Sequence, residues 1–94
     1  MMDRYDELYQ GFRWQVPEHF NIAQACCGRW AAEGSRRALY WEDESGAQAA
    51  YSFRDIQVAA NRLSNALAAL GVARGDRVAL ILPQRPETAI AYIA

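Results

Sequence analysis

Residues 51–83 read YSFRDIQVAANRLSNALAALGVARGDRVALILP, and this stretch decides the fold. Ser52 stands three residues before Asp55, the spacing of a capping box, and Tyr51 and Ile56 are placed as a hydrophobic staple across it. Ile56, Ala59, Ala60, Leu63, Ala66, Leu67 and Leu70 then fall in a stripe about 120° wide when wound as a helix. Gln57, Asn61, Ser64 and Asn65 take the other side. Gly71 followed by Val72 is a helix ending, a left-handed glycine with a hydrophobic contact after it. Gly75 and Asp76 turn the chain into Val78-Ala79-Leu80-Ile81-Leu82, apolar without alternation, which predicts a strand buried on both faces as in a parallel sheet.

Downstream, Pro83 ends that strand and Pro86 suits the first turn of a second helix, with Glu87 favourable to its dipole. Upstream, residues 38–51 predict a hairpin whose turn is Glu44-Ser45-Gly46. Before it, Asn21 with Gln24 marks the start of a helix that runs to about Glu33 and ends at Gly34, Phe20 being placed to staple onto Ala25. Gly28 weakens that helix by roughly 1 kcal/mol relative to Ala. Residues 1–20 form an aromatic-rich lead, with Tyr5, Leu8, Tyr9, Phe12 and Trp14 in a short helical turn and then an extended piece up to Pro17. Large rings without a periodic face suit a segment that packs on something larger.

The order hairpin, helix, buried strand, helix is the opening of an α/β layered fold. A strand apolar on both faces needs neighbours on both sides, and the next parallel strand belongs after the helix that begins at Pro86. The 94 residues contain no such strand, so the expectation is the first part of a larger domain.

Composition excludes several function classes. Ten basic residues against eleven acidic ones leave a net charge of −1, which gives no long-range attraction to nucleic acid or anionic lipid. All ten are Arg, scattered among acids, and without Lys the chain has no catalytic ammonium and no Schiff-base former. The adjacent Cys26 and Cys27 point in different directions on a helix, which argues against a mutual disulfide, and no second pair suggests a metal site. They read as small helix residues of a reduced, cytoplasmic protein. The charged first ten residues do not resemble a signal peptide, and no apolar run reaches the eighteen or so residues of a membrane span. His19, between Glu18 and Phe20, has no nucleophile or second His nearby and reads as structural. The acidic run Glu42-Asp43-Glu44 reads as a solvated strand end and turn, not a metal site.

From Tyr51 to Ala94 the sequence resembles the opening of the large domain of the adenylate-forming, AMP-binding enzymes: acyl-CoA synthetases, luciferases and peptide-synthetase adenylation domains. The residues that carry the resemblance are YSFRDI, ANRLSNALAALGVARGDRVALILPQRPE and AYIA, matching an aromatic-Ser/Thr helix opening, L-x-x-x-G-x-x-x-G-D-x-V, an apolar strand, and Pro shortly before Glu. The upstream RWQVPEHFNIAQACCGRW is similar to the W-x-x-P-E-x-F-N-x-A lead of medium-chain and aryl acyl-CoA synthetases.

The resemblance implies that residues 1–94 are an N-terminal segment of the AMP-binding large domain, with 1–37 as lead and helix and 38–94 as hairpin, helix, strand and the start of a helix. It implies an acid–CoA ligase parent that uses ATP, CoA and Mg²⁺ on a small carboxylic acid, first forming an acyl-adenylate and then a thioester. The family's Ser/Thr/Gly-rich loop ending in Lys, its aromatic-Gly-x-Thr-Glu motif, its ribose-binding Asp and its catalytic Lys have no counterpart here. The segment alone is therefore expected to be inactive, with no catalytic, cofactor-binding or metal-binding residue of its own. Alternatives are another adenylating enzyme that loads a carrier thiol, or a small non-catalytic α/β module that dimerises to cover its strand and last helix. The best local candidate for a binding role is Gln84-Arg85, at the carboxyl end of the predicted strand, where open α/β sheets take ligands and an Arg before a helix could meet a phosphate.

Overall fold

The computed structural model describes residues 3–94. Helix α1 spans Arg4–Gly11, longer than the single turn predicted, with the Asp3 carboxylate accepting the Asp6 N–H at 2.9 Å. Residues 1 and 2 of the lead lie outside the described residues. The aromatic side chains of the lead are exposed, with no element packed over Tyr5, Tyr9 or Trp14 among the described residues.

The next helical segment begins where expected: Asn21 Oδ1 accepts the Gln24 N–H at 2.9 Å. It then differs from a plain α-helix. Gln24–Gly28 forms a π-helical turn, which passes into a short α2 at Arg29–Ala31. The Gln24 side chain lies against Gly28 where a Cβ would stand, so the glycine makes room for it.

Strands β1 (Arg37–Glu42) and β2 (Gln48–Ser52) form the predicted antiparallel hairpin, with Leu39 opposite Tyr51 and Trp41 opposite Ala49 on the half-buried face. Asp43 organises the turn: its Oδ1 accepts from Ser45 N–H, Ser45 O–H and Ala47 N–H, while Gly46 takes φ +86°.

Helix α3 (Phe53–Ala69) follows β2 without a linker. Its capping box is complete: Ser52 Oγ accepts from Asp55 N–H at 3.0 Å and Asp55 Oδ2 accepts from Ser52 N–H at 2.9 Å. At the other end Gly71 has φ +94°, the Val72 N–H reaches Leu67 O and the Gly71 N–H reaches Ala68 O, a full Schellman ending. The final helix, α4 (Pro86–Ile93), starts on Pro86 with Arg85 as its cap.

One element departs from the sequence reading. Residues 78–82 carry no regular secondary structure and pair with no strand, and Ile81 is 94% exposed. Their predicted strand, buried on both faces, is thus corrected. A ladder needs a partner, and the one sheet among the described residues is the hairpin. The layered α/β arrangement is accordingly present only as a mixed helix and strand unit. The core is small: among the described residues Cys27, Ile56 and Ala60 are buried, as is Pro86 at the start of α4. The radius of gyration is 18.0 Å, against roughly 12 Å for a compact domain of this length.

Replacing Ser52 by Ala is expected to destabilise the hairpin–α3 unit by about 1 kcal/mol in urea unfolding followed by circular dichroism. The box also sets a pH response. The Asp55 carboxyl is held below the ordinary carboxylate range by the Ser52 N–H and hydroxyl, with Arg37 assisting against partial desolvation. A depressed folded pKa stabilises above the unfolded value and loses that contribution as pH falls through the folded one. Between about pH 5 and pH 2, Asp55→Asn is therefore expected to flatten the acid-side fall in thermal midpoint.

Candidate functional site at the entry of the last helix

Gln84 and Arg85 lie where the apolar run turns into α4. The turn is tightly bonded: Arg85 N–H donates to Pro83 O at 2.8 Å, and the Thr88 hydroxyl donates to the same oxygen at 2.7 Å. Thr88 N–H donates to Arg85 O at 3.0 Å. Trp41, 43 residues earlier on β1, donates its indole N–H to Gln84 O at 3.3 Å. The Arg85 guanidinium carbon stands 5.3 Å from the centre of the same indole ring, and Arg85 Nε pairs with Glu87 Oε2 at 3.3 Å. Trp41, Arg85, Thr88 and Tyr92 border an open cleft of about 320 Å³.

The electrostatics match this geometry. Glu87 is held below its ordinary value by its own backbone N–H at the helix start and then by Arg85. Asp43 is lowered first by the Ser45 hydroxyl, then by the Ala47 and Ser45 amides, with Arg85 adding to them. Arg85 thus serves carboxylates of this chain. Pro86 brings no N–H of its own to the first turn, and the Thr88 N–H is taken by Arg85 O.

The remaining candidates resolve plainly. Cys27 is buried and its thiol donates to Phe53 O at 3.4 Å. Burial, and then the neighbouring Cys26, push its pKa up, which makes it a poor nucleophile. Cys26 is exposed and both thiols are free. His19 and Glu18 are exposed neighbours 4.0 Å apart. Among the described residues no three His, Cys, Asp or Glu side chains group as a metal site, and the acidic run at 42–44 instead builds the hairpin turn. Among the described residues no helix is long and apolar enough to cross a membrane.

Sequence reasoning found the Gln84-Arg85 turn but missed Trp41 as its partner. The only local signal was a Trp on the inward side of a strand, and its acceptor is remote in sequence. Equally missed was Arg54, whose Nε and Nη2 donate to Ala31 O and Ala32 O at 3.1 and 2.9 Å, capping the end of α2 from another element.

The AMP-binding enzyme family matches residues 28–94. The acetyl-coenzyme A synthetase of Streptomyces coelicolor is 39% identical over 84 residues, 87% of this chain and 13% of that protein. The mitochondrial acyl-coenzyme A synthetase ACSM3 of Mus musculus is 32% identical over 97 residues, 96% of this chain and 17% of that protein. The chain belongs to the AMP-binding enzyme family. It spans between about an eighth and a sixth of the length of these relatives.

Trp41→Phe keeps the ring face for Arg85 but removes the indole donor. It is expected to cost about 0.5–1 kcal/mol in the urea midpoint and to speed amide exchange at Arg85 and Thr88, with the exchange in α3 unchanged.

Proposed function

We propose that this chain is the N-terminal part of an ATP-dependent carboxylic acid–CoA ligase. In the parent, the carboxylate of a small acid attacks the α-phosphorus of ATP and pyrophosphate leaves. The CoA thiolate then attacks the acyl carbon of the adenylate and AMP leaves. The observation that carries the reading is the unbroken order of hairpin, boxed α3, glycine turns at 71 and 75, apolar run and Pro86-led α4 across the matched residues. Both relatives are coenzyme A synthetases, which favours CoA over a carrier thiol as acceptor.

On this reading, residues 1–94 have an architectural role in the large layered α/β domain, and 78–82 becomes a paired strand only beside others of that domain. ATP, CoA and Mg²⁺ belong on this reading to the rest of the parent, in keeping with a chain that has no Lys.

An ATP–pyrophosphate exchange assay tests both halves of the proposal. The 94-residue chain is expected to give no carboxylate-dependent exchange, and a chain extended through its reading frame to the length of its relatives is expected to give it. Exchange by the short chain overturns the architectural role. An inert extended chain, tested across short, medium and aryl acids, overturns the ligase assignment.

A further inference from the structure

We draw no further inference here: the strongest candidate, the aromatic face of helix α1 where Tyr5, Leu8, Tyr9 and Phe12 border an open apolar groove of about 330 Å³, is an unpartnered surface patch, and nothing in the structure shows what covers it.

Discussion

The junction at Ser52-Phe53-Arg54 is the point on which the rest of the structure depends. A strand runs into a helix there with no spare residue, so the direction of α3 relative to the hairpin is set by the geometry of one cap. The same three residues recruit the preceding segments. Phe53 N–H donates to Arg36 O ahead of β1, Phe53 O accepts the Cys27 thiol, and the Phe53 ring lies 6.4 Å from that of Trp30. Arg54 reaches the last carbonyls of α2, and Gly34 permits the approach, since a Cβ there would stand 2.6 Å from Arg54 Nη1. The stretch from Cys27 to Arg36 is thus tied at several points to one short piece of backbone later in the chain. The buried Cys27, Ile56 and Ala60 lie in or beside the elements it joins.

Outward from that junction, order is increasingly supplied by local bonds instead of packing. Ile56 and Ala60, in the first turns of α3, are buried against the π-helical turn and α2. Further along the same stripe Ala66 and Leu70 are exposed. The helix persists because its C-terminal carbonyls are satisfied by the Schellman bonds and because Ala, Leu, Arg and Gln suit a helix. A periodic apolar stripe reports which side of a helix prefers burial. Whether something covers it depends on residues the stripe does not contain.

That distinction explains what was legible. Caps and turns whose partner atoms lie within about five residues were readable, because the backbone geometry they need is local. Asn21 with Gln24, Ser52 with Asp55, Gly46, Gly71 and Pro86 all behave as their spacing implies. The π-helical turn at Gln24–Gly28 was not readable, since apolar periodicity hardly distinguishes it from an α-turn. Residues 78–82 failed differently. Their apolarity signals a preference for burial on both faces, but a strand is defined by a ladder, and none of its partners is among the described residues. The Trp41–Gln84 and Arg54–Ala31 bonds needed the fold itself, because they join positions 43 and 23 residues apart.

The site at Arg85 shows why a suggestive residue pattern can be architectural. An arginine ahead of a helix attracts an anion when its charge is uncompensated and the helix offers free amides. Here Glu87 pairs with the guanidinium, Trp41 lies against it, and the proline in the first turn brings no N–H. Every carboxylate with a lowered pKa is already used: Asp43 in the hairpin turn, Asp55 in the α3 cap, Glu87 at the α4 start. Cys27, the one raised group, is occupied by the Phe53 carbonyl. Arginine stays protonated in proteins and donates without accepting, so a lysine-free basic set can position carbonyls and carboxylates but cannot shuttle protons or form covalent intermediates. The groups with shifted pKa values, Cys27, Asp43, Asp55 and Glu87, are thus all engaged with backbone or side chains of this same segment.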